Sequence, residues 1–342
     1  VGGIEQSPIV LNFYICRLNF LLMASGKRII VTGGAGFIGS NLTEALLGDD
    51  RVEKVRVIDD LSNGYYDNIR EFEKHPKFDF VEASICDYDK MLEVTKGFDA
   101  ISHQAALGSV PRSIKNPMLT TQVNIDGTVN ILHAAVQNKI DRVVLACSSS
   151  TYGDSPDLPK REERIGRPLS PYAITKFAME QYADVFQKTY GLNYVGLRYF
   201  NVFGPKQSPD NPYAAVIPLF CKAFIEDKQP VINGDGLNSR DFTYVDNAVQ
   251  ANMLGLFTID SRALNQIYNV ACGEQTSLAE LVKMLQDVSG KNIAPIHGPE
   301  RAGDVKHSKA DIGKIQKLLG YEPTLYFRQG LASIYKWYVA NK

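Results

Sequence analysis

A chain of 342 residues is long enough for one large domain, or two joined ones, around a sizeable core. Hydrophobic residues at 44% and charged residues at 22% match an ordinary globular protein in water. A formal net charge of -1 gives no electrostatic ground for nucleic acid or an acidic membrane surface as partner, so an anionic ligand must be held by a local cluster of donors.

The first 22 residues stand apart. The apolar run from Ile9 to Leu22 is broken by Asn12, Arg17 and Asn19, is too short to span a bilayer, and lacks a small-residue cleavage site. Met23 followed by Ala-Ser-Gly-Lys-Arg reads as a natural start, leaving residues 1–22 as added sequence or an extra N-terminal helix. From Lys27 onward, apolar strands are expected at Arg28–Thr32, Val55–Asp59, Phe78–Glu82, Ala100–His103, Val143–Cys147, Tyr194–Arg198 and Ile267–Val270. Their nearly continuous apolar character suits strands buried on both faces. Helical patterns at Asn41–Leu47, Thr128–Asn138 and Ala173–Gln187 alternate with them, which predicts an α/β fold with a parallel sheet covered on both faces. Beyond Asn201 the texture changes, with Pro205, Pro209, Pro212, Pro218 and Pro230 interrupting regular structure. Residues 23–200, with 246–273 returning to them, are expected to form the larger domain, and 201–245 with 274–342 a smaller lobe that shapes a cleft. Five cysteines (Cys16, Cys86, Cys147, Cys221 and Cys272) are odd in number and form no C-x-x-C pair. Neither disulfides nor a metal site is expected, and a reducing cytoplasm fits.

Two motifs carry chemistry. Gly33-Gly34-Ala35-Gly36-Phe37-Ile38-Gly39 follows the first strand and opens a helix, the arrangement that lets backbone approach a pyrophosphate at a helix N-terminus. Asp59, at the end of the second strand, is placed to accept from adenosine ribose hydroxyls. Asp60 beside it disfavours a 2′-phosphate, so the expected cofactor is NAD. Downstream, Tyr172 and Lys176 share a helix face, where the ammonium is expected to lower the phenol pKa from about 10 towards neutrality and make a proton acceptor. Ser148-Ser149-Ser150 ends an apolar strand, at the sheet edge where ligands bind.

The order of glycine fingerprint, serine cluster and Y-x-x-x-K resembles the extended short-chain dehydrogenases/reductases, from about Lys27 almost to the C-terminus. The stretches 103–113, 198–204, 233–242 and 301–305 look like those of UDP-hexose 4-epimerases, particularly enzymes that handle N-acetylated sugars. The resemblance implies a Rossmann-type doubly wound sheet with a smaller mixed α/β substrate-binding lobe. It implies Tyr172 as base, Lys176 as its modulator, and Ser148 or Ser149 as the catalytic serine. It further implies cofactor contacts at Gly33, Gly36, Phe37, Ile38, Gly39, Asp59, Asp60, Ser62, Gly64, Ser84, Ile85, Gln104, Ala105, Ala106, Asn124, Tyr172, Lys176 and Val202. Nucleotide-sugar contacts are implied at Ser109, Arg112, Ser148, Ser149, Tyr172, Asn201, Ala215, Val216, Asn233, Arg240, Arg301, Asp304 and Ser308, with Arg240 and Arg301 on the diphosphate. Ser308 stands where epimerases restricted to non-acetylated hexoses carry a tyrosine, which would fill the space an N-acetyl group needs. A dehydratase usually has an Asp-Glu pair in place of Ser149 and Ser150, a uronic acid epimerase or decarboxylase would need an additional cation for the carboxylate and stays open as an alternative, and a non-catalytic NAD-binding regulator could lose Tyr172 or Lys176. A homodimer formed through helices at Thr120–Asn138 and Tyr172–Tyr190 is also implied.

Overall fold

Alternate residues of the central strands enter two different cores, which is why those strands read as unbroken apolar runs. In β1 (Lys27–Thr32), Ile29 and Val31 pack on one side and Ile30 on the other. Strand β5 (Arg142–Ser148) divides likewise, Val144 against Val143 and Leu145, as strands buried on both faces must. The computed structural model describes residues 26–211, 214–299 and 306–341. The readings made for residues 1–22, Arg301 and Asp304 lie outside them.

Seven strands form one parallel sheet. Between β1 and β5 in sequence come β2 (Val52–Asp59), β3 (Phe78–Glu82) and β4 (Ala100–His103). After β5 come β6 (Asn193–Tyr199) and, much later in the chain, β7 (Gln266–Val270). Their spatial order is β7-β6-β5-β4-β1-β2-β3, and every neighbouring pair is parallel. All seven expected strands are present, β2 starting earlier than its apolar pattern, at Val52. The chain reverses its direction of travel across the sheet beside β1, so the crossovers on either side go to opposite faces. That leaves a crevice at the C-terminal ends of β1 and β4.

On one face lie α1 (Phe37–Leu47) and α2 (Val245–Phe257), which contact each other, with α2 lying over β4, β5 and β6. On the other lie α3 (Tyr88–Val94), α4 (Gly127–Gln137) and α5 (Pro171–Tyr190), whose Met91, Ile131, Leu132, Met179 and Phe186 fill the second core. The first core runs without a break into the segments that follow Asn201. Phe203, Phe242 and Phe327 close it there, with Phe242 and Phe327 stacked at 4.6 Å between centroids. This shared core fixes the loops after Asn201 against the sheet's C-terminal edge, where the cleft opens. No helix among the described residues is long and apolar enough to cross a membrane.

Candidate active site

A cleft of about 630 Å³ runs along that edge. Its first wall is the glycine turn. Gly33 has φ +68°, and a Cβ there would stand 2.6 Å from the Ala105 nitrogen; one on Gly39 would stand 2.1 Å from the Gly33 carbonyl oxygen. Helix α1 therefore starts directly against β1, and its N-cap Gly36 offers no side chain to the first-turn N–H groups. Those donors and the helix dipole favour an anion where Gly36, Phe37, Ile38 and Gly39 line the cleft. Asp59 is buried beside them and accepts from the N–H groups of Ala35 at 3.0 Å and Leu61 at 2.9 Å. Burial raises its pKa, and these two bonds pull it back. Asp60 is exposed and accepts from the backbone and hydroxyl of Ser62, which lines the cleft with Gly64. A close backbone turn, a bare helix start and a neighbouring carboxylate together fit an adenine dinucleotide.

Deeper in the cleft, Ser148 ends β5, near enough to the Tyr172 phenol to draw its pKa down. Ser170 caps α5 by accepting from the N–H of Ala173 at 3.1 Å, which sets Tyr172 in the first turn at the cleft wall. Lys176, one turn on, is buried and donates from Nζ to the Ala146 carbonyl at 2.7 Å. Burial pulls its pKa down to about 8. The expected depression of the Tyr172 phenol by Lys176 is not found. The ammonium is spent on the β5 backbone, and burial holds the phenol above its ordinary value, with Ser148 drawing it down. Of the two serines, Ser148 is the one that draws the Tyr172 phenol down, and its oxygen accepts from Ser150 Oγ at 2.9 Å.

The opposite wall comes from distant segments. Asn201 has φ +35°, donates to the Asp241 carbonyl at 3.0 Å, and lines the cleft with Val202 and Ala215. Arg240 reaches the cleft while donating to the carbonyls of Ser239 at 2.9 Å and Lys306 at 3.2 Å. Ser308 is buried at the wall, its N–H bonded to the Ser239 carbonyl at 3.1 Å. Asp241 ties this wall together by accepting from the N–H groups of Cys272 and Ala310, each at 3.1 Å.

Some expected contacts lie off the cleft wall, each for a local reason. Ser84 turns its hydroxyl to the N–H of Cys86, so Ala83 and Ile85 face the cleft instead. Asn124 is buried in a π-helical turn, Gln122–Asp126, and clamps Leu107 through its N–H at 2.8 Å and its carbonyl at 3.2 Å. Ser109 caps a short helix, Val110–Lys115, and Arg112 on that helix donates to Asn63 at 2.8 Å. Val216 begins the helix Val216–Ile225 one residue beyond the lining Ala215, and Asn233 ends a strand, Val231–Asn233, paired with Ile296–Gly298. Gln104, Ala105 and Ala106 do line the cleft.

Several side chains around the cleft were not singled out from the sequence. Tyr199 lines it and donates to Gln104 at 3.1 Å, accepting in turn from Asn252 at 2.7 Å. Glu180, one turn beyond Lys176 on the same face of α5, forms a buried bidentate pair with Arg198 at 2.8 Å for each contact. The continued spacing of four after Tyr172 and Lys176 was the available signal for Glu180. Lys160 lines the cleft from a segment that carries no motif.

Residues 29–271 match the NAD dependent epimerase/dehydratase family. The chain belongs to that family. It is an extended short-chain dehydrogenase/reductase whose cofactor is NAD. A UDP-N-acetylglucosamine 4-epimerase from Methanobrevibacter ruminantium, solved with UDP-N-acetylmuramic acid, is 38% identical with a TM-score of 0.87, over 93% of this chain and 100% of that one. A Thermotoga maritima UDP-glucose 4-epimerase, solved with UDP-glucose, is 32% identical with a TM-score of 0.86, over 92% and 99%. A putative UDP-glucose 4-epimerase of Methanocaldococcus jannaschii is 35% identical, over 92% of this chain and 99% of its own length. Other relatives include a decarboxylase and dehydratases named for other nucleotide sugars, at 30% and 33% identity.

Proposed function

We propose that this chain is a 4-epimerase of UDP-sugars that interconverts UDP-GlcNAc and UDP-GalNAc, with UDP-Glc and UDP-Gal as further substrates. The observation that carries the reading is that Tyr172, Ser148 and Lys176 line one cleft with the glycine turn, Lys176 one turn along α5 from Tyr172. When bound, NAD would be held by the Gly33–Gly39 turn and Asp59 and would supply the acceptor and donor of the sugar C4 hydride, with a positive charge that favours the Tyr172 phenolate. Tyr172 takes the proton of the 4-hydroxyl and gives it back, so the 4-keto sugar exists only between the two transfers. Ser148 orients that hydroxyl beside the phenol. Asn201 and Arg240, joined by Arg301, hold the diphosphate, so the hexose stays loose enough to turn over. We assign the dinucleotide to residues 23–200 with 246–273, and the nucleotide sugar to 201–245 with 274–342.

Ser149 and Ser150 line the cleft where a dehydratase would need acids to expel a hydroxyl, which supports epimerisation over elimination. The small buried Ser308 supports room for an N-acetyl group. Two copies pairing through helices at Thr120–Asn138 and Tyr172–Tyr190 would cover exposed apolar Ile174, Tyr182 and Val185. Sedimentation of the purified protein as a monomer would remove that pairing. The deciding experiment is incubation with UDP-GlcNAc and analysis of the products. An equilibrium mixture with UDP-GalNAc, formed without net consumption of NAD, is expected, whereas a 4-keto-6-deoxy sugar as the accumulating product would overturn the reading in favour of a dehydratase.

A further inference from the structure

Lys206 lies in the loop that follows the 198–204 stretch and joins segments that are far apart in the chain. Its ammonium reaches the carboxylates of Glu44 on α1 at 3.3 Å and Glu71 at 3.0 Å. It also donates to the Asn68 carbonyl at 3.2 Å and sits 4.9 Å from the centre of the Phe72 ring. The lysine side chain is 16% exposed while the two carboxylates are 60% and 62% exposed, so the lysine is the inner member of the cluster. Its backbone has φ +67°, a left-handed conformation that a residue with a Cβ adopts where its surroundings hold it. Asn41, also on α1, donates to the Pro205 carbonyl at 3.1 Å and fixes the loop one residue earlier.

The partners of Lys206 are themselves fastened to the glycine turn. Asn68, Glu71 and Phe72 lie on two short helical turns, Tyr66–Asn68 and Arg70–Phe72. Both N–H donors that bind this segment back meet at the Ala35 carbonyl, Asn68 Nδ2 at 2.9 Å and the Tyr65 backbone at 3.0 Å. Glu44 and Asn41 stand on the helix that the glycine turn opens. A second crossing lies a few residues on, where Asn211 donates to Asn63 at 3.3 Å, an oxygen that also accepts from Arg112 at 2.8 Å. Residues 205–211 thus run from the wall that carries Asn201 and Val202 to the wall made by the glycine turn and the Asp59 loop. Lys206, Asn211 and Asn63 all line the cleft. Exposed ion pairs contribute little to stability, so the consequence of this cluster lies in the relative placement of the segments it joins.

We propose that Lys206 is a positioning residue that straps residues 205–211 across the glycine-turn end of the cleft and so slows the release of NAD. The inference rests on the assignment of that end to the dinucleotide and is independent of which sugar is bound. One ammonium holds Glu44, Glu71 and the Asn68 carbonyl together, so the strap lifts only when all three contacts are given up. In the epimerisation proposed above, a cofactor lost between the two hydride transfers would strand the keto sugar, and slow release serves that reaction.

The test is the rate at which purified protein loaded with radiolabelled NAD loses its label to an excess of unlabelled NAD. Lys206→Met should release the label at least tenfold faster than wild type. Lys206→Arg, which keeps the charge and the donors, should stay within threefold. A smaller acceleration in Lys206→Met, or a larger one in Lys206→Arg, overturns the proposal. Glu44→Gln combined with Glu71→Gln attacks the strap from its exposed side and should accelerate release at least threefold, and a smaller effect also overturns it. The Tm of the NAD-free proteins separates retention from folding. It should stay within about 2 °C of wild type, and a larger fall in Lys206→Met would assign the faster release to a loosened fold and overturn the proposal. Asp59→Ala tests the underlying assignment by equilibrium binding of NAD, which should weaken at least tenfold. Unchanged binding there removes the dinucleotide assignment and the strap with it, whereas weakened binding with unaltered release from Lys206→Met overturns the strap alone.

Discussion

The end of the cleft that we assign to the dinucleotide is made by one continuous turn, Gly33 to Gly39, with Asp59 at the end of the neighbouring strand, whereas the end that we assign to the sugar takes its walls from segments around Ser148, Asn201, Arg240 and Ser308. At the first end the contacts are mostly backbone, and their geometry is set by the absence of side chains. At the second they are side chains held in place by one another and by Asp241, which links the Arg240 strand to the Ser308 segment through Ala310. A turn of seven residues can tolerate little substitution, while a wall assembled from distant segments can change one position without rebuilding the rest. The common end and the adaptable end of this cleft are thereby separated in the chain.

That contrast can be broken by substitution. The largest effect is expected from Tyr172→Phe, which removes the titrating hydroxyl and should lower kcat by roughly 10³-fold. Dinucleotide released on denaturation should be undiminished, and normal turnover by this variant would remove Tyr172 as the base. Ser308→Tyr puts a ring into a close-packed wall and should cut kcat/KM for UDP-GlcNAc at least tenfold, or about 1.4 kcal/mol, relative to UDP-Glc. Equal losses on both substrates would show that position 308 does not gate the pocket. Gly39→Ala attacks the other end, where a Cβ would meet the Gly33 carbonyl at 2.1 Å. A stability loss of roughly 1–3 kcal/mol is expected together with reduced bound dinucleotide, and an unchanged Tm with full NAD content would contradict it.

The smallest effect is expected from pH. Burial raises Asp241 to about 7, far above the value of a free aspartate. The folded chain then keeps a proton that the unfolded chain releases, so the stability this group contributes is fully present below its unfolded pKa. It is lost as pH rises through about 7. His103, buried between Thr32 and Thr128, runs the other way. Burial and then the Lys176 charge lower it to about 3, so its contribution is present above its ordinary 6.5 and lost as pH falls from there. A comparison with Asp241→Asn cancels the histidine. The Tm of the wild type should drop relative to the variant by a few degrees between pH 5 and pH 8, and parallel curves would rule the aspartate out as the source.

The sequence carried the two ends of the cleft unequally. Strands and helices were legible because burial on both faces leaves apolar runs, and the glycine turn because its requirements are local. Tyr172 and Lys176 were legible through helix spacing, although the partner of the ammonium, the Ala146 carbonyl, belongs to a strand and leaves no trace in a motif. Ser84 was placed one residue away from the positions that face the cleft, since the direction of a side chain in a turn depends on which neighbour it bonds. Asn124, a cofactor contact by the resemblance, is buried by a π-helical turn under the loop at Leu107. Lys160 was invisible for a different reason. A lysine in a loop has no period, and only the pairing of its backbone with residues 309–311 shows it to be interior.

Strand β7 completes the sheet against β6 but is made from residues 266–270, some seventy positions after β6 ends. During synthesis, a chain that has emerged as far as Phe257 can hold six of the seven strands with β6 as an open edge. Unpaired backbone groups on a hydrophobic strand are a template for association with another chain. Helix α2, which ends at Phe257, emerges just before the strand that closes this edge and already packs on β4, β5 and β6. A nascent chain therefore has one face of its sheet covered before it has a closed border. Termination between positions 257 and 266 would yield a product prone to aggregate, whereas extension by β7 would pair β6 and leave as border a strand whose Asn269 N–H and Ile267 carbonyl are met by Glu162 and Lys314.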